Sequence, residues 1–207
     1  MVYIENSLVK KPNTKTKFDD IEHIREFANC VNQKDGPAYF LQNFFYIQHP
    51  TQGKLLYKPY DFQIGLLENY HNNIRSIALL GRQLGKTTTA CGYLLWYAMF
   101  KPDQTILVVA NKFTSALEIA LRIRFAYEEC PNHIRTGVTS YNKSSIEFDN
   151  GSRIVCQATS GTSGRGMSIS LLYCLDGETS MVNVRDKVTK EIKEISLKDL
   201  YTEIDDN

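Results

Sequence analysis

Two stretches of the chain hold side chains whose types and order could do chemistry. The first is Gly81-Arg82-Gln83-Leu84-Gly85-Lys86-Thr87-Thr88. A nucleotide's phosphates need N–H groups at a helix start, a cation on the β and γ oxygens, and a hydroxyl for Mg²⁺. ATP with Mg²⁺ is therefore the expected ligand. Gly81, Gln83, Gly85, Lys86, Thr87 and Thr88 would surround it, with Thr87 on the metal. One position departs from the common pattern, which leaves four residues between its first glycine and the Gly-Lys pair. Leu80 stands where glycine is usual, and Gly81 comes one place late. Arg82 is either a solvated loop arginine or a finger reaching the γ-phosphate within the same chain.

Upstream, Tyr60-Asp61-Phe62-Gln63 precedes a helical pattern. The Gln63 amide could pair with adenine while Tyr60 stacks on the base, or the segment simply starts a helix with Phe62 in the core. Spacing alone does not choose between them. The second chemical stretch is Cys174-Leu175-Asp176-Gly177-Glu178-Thr179. Asp176 and Glu178 are two nearby carboxylates of the kind that can serve Mg²⁺. Alternatively Cys174 is a nucleophile, since a thiolate can attack the carbonyl of the preceding Tyr173 to give a thioester. Without its sequel, Cys174 would be taken for a buried cysteine at a strand end.

The elements that must position these residues alternate. Ile74–Leu80 is a short apolar run, read as a buried strand entering the phosphate loop, and 88–100 reads as the buried helix leaving it. Thr105–Ala110 is a second strand, and 114–129 has helical spacing with Pro131 beyond it. Ser145–Phe148 and Arg153–Ala158 flank Asn150-Gly151, a hairpin signal. A Gly/Ser-rich loop over 160–166 leads to a strand at 169–173. Helical spacing covers 21–31 and 61–71, an aromatic cluster (Tyr39, Phe40, Phe44, Phe45, Tyr46) lies between, and residues 1–20 read as a loose polar arm. The order predicts an α/β fold, a sheet with crossover helices.

Bulk properties narrow the class. The 207 residues balance 24 basic against 23 acidic side chains, which excludes a wholly basic nucleic-acid coat and an acidic tail. The balance is an average over unlike parts: 19 basic and 14 acidic residues precede Cys174, and 5 basic and 9 acidic follow from it. The longest apolar stretch, Ala90 to Phe100, has 11 residues, too few for a membrane span of roughly 20. Five scattered cysteines without a CxxC pair predict a reducing, cytosolic setting. Arg165, between Gly164 and Gly166, either couples nucleotide state to motion or solvates a loop.

Ala78 through Thr88 resembles the deviant phosphate loop of the large terminase subunits of tailed bacteriophages, above all the T4-like group, whose Arg-Gln-x-Gly-Lys-Thr core lacks the usual first glycine. Pro59-Tyr60-Asp61-Phe62-Gln63 is similar to that family's adenine-recognising motif. Val109-Ala110-Asn111-Lys112 with its helix, and Ser145 to Ser152, resemble its next strand–helix unit and its hairpin. The resemblance spans about 35–173. It implies a RecA-like ATPase domain that drives double-stranded DNA into a procapsid with portal and small terminase subunits, followed by a nuclease domain with no counterpart read here. It also implies that the strand at 169–173 should end in two adjacent carboxylates, and it does not.

Cys174 through Thr179 resembles the opening block of inteins, with Thr179 helping to hold the junction by analogy. Met181–Arg185 and Glu191–Ser196 read as a hairpin, and Leu197 to Tyr201 is similar to the intein continuation. The expectation is therefore a terminase fragment fused to the N-terminal half of a split intein. Residues 1–58 would be the arm and helical, aromatic region. Residues 59–173 would be an incomplete RecA-like P-loop sheet serving as N-extein, and 174–207 a short β-rich N-intein belonging to a HINT-type fold. The partner would be a second polypeptide carrying the C-intein and the terminase C-terminal part, basic at its interface, in the host cell cytoplasm and away from membranes. The acidic 34 residues from Cys174 are expected to stay largely disordered until that partner arrives. The alternative is a stand-alone P-loop ATPase or helicase-like fragment using Asp176 and Glu178, and a binding module on an inert ATPase scaffold comes third.

Overall fold

The structure is a computed structural model that describes residues 8–78, 80–160, 163–175, 181–185 and 192–196. Helices α1 (Ile21–Val31) and α2 (Gly36–Asn43) come first, then a hairpin of β1 (Tyr46–His49) and β2 (Gly53–Leu56), then α3 (Asp61–Asn72). After the phosphate loop follow α4 (Lys86–Phe100), β3 (Thr105–Ala110), α5 (Phe113–Glu129), β4 (Val138–Tyr141), β5 (Ser145–Phe148), β6 (Arg153–Ala158) and β7 (Leu171–Leu175). A last hairpin joins β8 (Met181–Arg185) to β9 (Ile192–Ser196).

Five strands form one mixed sheet in the order β4-β5-β6-β3-β7. β3 runs parallel to both β6 and β7, whereas β5 pairs antiparallel with β4 and β6. This is the expected α/β class, and a five-stranded mixed sheet is compatible with a RecA-like domain. The core is a single cluster. α4 is buried on nearly every side, as a helix apolar all round must be. Its Trp96 indole donates to the Cys30 carbonyl of α1 at 2.8 Å, and its Phe100 ring meets Phe40 of α2. The boundary drawn at 58/59 therefore separates no two cores.

Two expectations need correction. The arm is not loose in its described part: Lys10 is buried, its Nζ donating to the carbonyls of Arg135 (2.7 Å) and Asn132 (3.1 Å), and the Val138 N–H donates to the Lys10 carbonyl. A polar side chain found three acceptors inside the fold, Thr16 Oγ1 included, and composition does not reveal acceptors. Second, 74–80 forms no strand, and Ile74 is fully exposed. A strand needs a partner for its N–H and C=O groups, and none of the described strands lies beside this run. The hairpin expected beyond Cys174 is present, with Met181 opposite Ser196 and Arg185 opposite Ile192. Local alternation is enough to pair two adjacent strands.

The last strand of the main sheet also shifts. β7 begins at Leu171 and runs through Cys174 to Leu175, with Val109 opposite Cys174 and Ala110 opposite Leu175. Among the described residues no strand pairs its outer edge.

Candidate functional site

Gly85 caps α4 with φ of 74°, a left-handed conformation that glycine adopts without strain. A Cβ there would also collide with the Gln63 amide nitrogen. Glycine is thus required twice at one residue. The first N–H groups of α4, at Lys86, Thr87 and Thr88, lack intrahelical acceptors, as at any helix start, and they form the positive end of the helix dipole. Lys86 is half-buried, and its Nζ donates to the Leu80 carbonyl at 3.0 Å. Gly81, Arg82 and Gln83 are exposed, with Gln83 at a φ of 64°.

Gln63 is buried and has both ends of its amide engaged inside the chain. Its Oε1 accepts from the Tyr60 N–H at 2.9 Å, closing a capping box at the start of α3, and its Nε2 donates to the Leu84 carbonyl at 2.9 Å. In this conformation the amide clamps the phosphate loop to α3 and is not presented to a base. Tyr60 is exposed, its ring stacked on Phe62 with planes 9° apart, so Phe62 is not a core residue.

The structure brings the second chemical stretch to the first. A cleft of about 1100 Å³ is lined by Arg82 and Lys86, by Tyr93 and Tyr97 of α4, and by Tyr173 and Cys174 of β7, among others. Burial pushes the Tyr173 hydroxyl well above the ordinary tyrosine range, and a hydrogen bond with the Thr87 side chain opposes that shift. Tyr173 thereby touches the residue expected to hold Mg²⁺. Cys174 is exposed, whereas Cys30, Cys91, Cys130 and Cys156 are buried. Loss of solvent pushes the thiols of Cys30, Cys91 and Cys156 up to about 12, and that of Cys130 upward as well. Asp176, Glu178 and Thr179 lie outside the described residues. Arg165 is exposed, in a turn between two glycines of positive φ.

Residue types in sequence missed three contributors. Arg122 on α5 donates to Thr88 Oγ1 at 3.4 Å, and its charge acts on Tyr173. Thr89 is fully buried, its hydroxyl 2.7 Å from that of Tyr57 and donating to the Gly85 carbonyl at 3.2 Å. The helical register of Arg122 was visible in sequence, but its partner across the fold was not.

The donors fit a polyphosphate: the N-terminus of α4 carries Lys86 with the Thr87 and Thr88 hydroxyls in its first turn, and Arg82 and Lys86 line one cleft. Residues 77–176, just under half the chain, match the family model described as "Terminase large subunit, T4likevirus-type, N-terminal". The matched residues span the phosphate loop and the strands β3 to β7, and they end at Asp176. Tyr60 and Gln63 lie upstream of them. The match supports a terminase large subunit.

Proposed function

We propose that the chain is the ATP-binding part of a DNA-packaging terminase motor, and that Cys174 opens a split intein joining this part to its remainder. An ATPase with Mg²⁺ is what a terminase N-terminal segment generally implies. The observation that carries the reading is the shared cleft, whose lining includes Arg82, Lys86 and the exposed Cys174 near the end of β7. Among the described residues no strand pairs the outer edge of β7, and a sheet edge of that kind can accept further strands.

In this reading Lys86 exchanges the Leu80 carbonyl for β and γ oxygens, and the N-terminal N–H groups of α4 receive the phosphates. Thr87, now hydrogen-bonded to Tyr173, would hold Mg²⁺, which when bound would offset phosphate charge. Thr88, Gly81 and Gln83 line the loop, and Arg82 projects toward the γ-phosphate. Tyr60 offers its exposed face to the adenine, and Gln63 exchanges its internal bonds to read the base edge.

Splicing begins at the bond between Tyr173 and Cys174. The Cys174 sulfur attacks the Tyr173 carbonyl, a C–S bond forms, the C–N bond breaks, and the Cys174 nitrogen takes up the proton. The thioester then passes residues 1–173 to the first extein nucleophile of a second polypeptide carrying the C-intein. That polypeptide also supplies the intein histidine, the terminal Asn and the acidic pair for ATP hydrolysis. Double-stranded DNA, portal and small terminase are partners of the spliced product, in the host cell cytoplasm.

Mixing the chain with such a C-intein fusion tests this. A spliced product containing residues 1–173 is expected, and Cys174→Ala must abolish it. A specific observation favours a second reading, in which the unspliced chain is itself the ATPase: β7 continues in register through Leu175, and the family match runs to Asp176. There Asp176 serves as the Mg²⁺ carboxylate. ATP turnover by the lone chain that survives Cys174→Ala and disappears in Asp176→Asn would select it.

A further inference from the structure

A third cluster of chemical side chains lies away from the phosphate loop. His23 and Glu26 stand three residues apart on α1, and His133 follows α5 in the turn toward β4. The two imidazoles stack with centroids 3.9 Å and planes 10° apart. His133 Nε2 lies 2.6 Å from Glu26 Oε2. One nitrogen of each ring and one Glu26 oxygen all fall within 4.8 Å of one another. The Phe44 ring stands edge-on to His133, whose side chain is only 11% exposed, and Asp20 at the α1 N-cap lies within electrostatic reach of both histidines.

We propose that His23, Glu26 and His133 bind a divalent transition-metal ion of the zinc type, stapling α1 to the α5–β4 connection. Two imidazole nitrogens and one carboxylate oxygen form a zinc donor set with a fourth position for water. Imidazoles also disfavour Mg²⁺ and Ca²⁺, which take oxygen ligands. Around a tetrahedral ion bonded at about 2.0–2.1 Å, neighbouring donors stand about 3.3 Å apart. The His133–Glu26 approach of 2.6 Å is shorter than that and must widen to admit an ion, while all three donors already lie within 4.8 Å of one another. A His133–Glu26 ion pair by itself calls for no second imidazole, and the metal accounts for all three groups. The staple has something to hold: α1 packs mainly on α2 and leaves Ile21 and Ile24 more than half exposed.

The test uses the full chain stripped of metal by a chelator and titrated with Co²⁺. One equivalent is expected to bind with visible d–d bands and no thiolate charge-transfer band. Zn²⁺ should displace it, Mg²⁺ should not, and metal should slow proteolysis within α1. His133→Gln and His23→Gln should each weaken binding by more than tenfold, and His49→Gln should leave it unchanged. His23→Gln decides the matter if His133→Gln does not fold. Absence of saturable binding, a thiolate signature, or unaltered binding in the folded His23 or His133 variant overturns the proposal.

Discussion

The Nζ of Lys86 donates to the Leu80 carbonyl at 3.0 Å, so the first residue of α4 is tied to the residue just before the loop. The cation is held at the loop's mouth by a neutral acceptor that a charged phosphate can displace. Charge-assisted hydrogen bonds are worth roughly 1.5–3 kcal/mol. Lys86→Ala should therefore weaken binding of a fluorescent ATP analogue by about 10- to 100-fold in titrations. Unchanged affinity would remove Lys86 from the site.

Gly85→Ala places a side chain at a φ of 74° and against the Gln63 amide. The expected loss is about 1–2 kcal/mol for the left-handed backbone alone, read from urea unfolding. Adding Gln63→Ala removes the collision but not the backbone strain. The double variant should thus lose less than the sum of the two single changes, and strict additivity would show that the two residues do not meet.

Trp96 is the only tryptophan and is fully buried, with its indole bonded to Cys30 of α1. Trp96→Phe removes that donor, leaves a buried carbonyl without it, and opens a small cavity. A destabilisation of about 2–4 kcal/mol is expected from these two effects together, followed by far-UV circular dichroism because the fluorophore is lost. A change under about 0.5 kcal/mol, the level of an ordinary surface substitution, would mean that α1 is not anchored through this bond.

The buried thiols set an alkaline limit. Cys30, Cys91 and Cys156 have folded values near 12 against an ordinary 9.0. Above pH 9 the unfolded chain releases these protons while the folded chain keeps them. Their contribution is therefore complete below pH 9 and is lost as pH rises toward 12. Each thiol should remove on the order of 1 kcal/mol per pH unit in that window. Urea midpoints measured between pH 8 and 11 check this, and a flat profile would contradict the burial. Over the same range an alkylating reagent should modify Cys174 first, because it alone among the five cysteines is exposed.

Much of the fold was legible in the residues. β3 at Thr105–Ala110 and the helices at 21–31, 61–72 and 86–100 follow from apolar periodicity and from local stops such as Pro102. β4 was missed: Val138–Tyr141 is short, and its strand character comes from pairing with β5. The 74–80 run was misread because a strand's apolar composition was present while its neighbouring strand was not. That Gly85, Lys86 and Thr87 stand at a helix start was legible from order alone. The clamp by Gln63 and the approach of Arg122 were not, since each joins residues more than 20 positions apart.

The sequence by itself determined the local chemistry: which residues could cradle phosphate, and where helices and most strands run. Those properties depend on neighbours along the chain, through 3.6- and 2-residue periods and through backbone freedom at glycine. The tertiary structure decided which groups meet. It set Tyr173 against Thr87, opened one cleft between Lys86 and Cys174, buried four thiols and left the fifth in solvent. It also gathered His23, Glu26 and His133 from both ends of the core. Such contacts arise from packing around α4 and from strand order in the sheet, and no spacing along the chain encodes them.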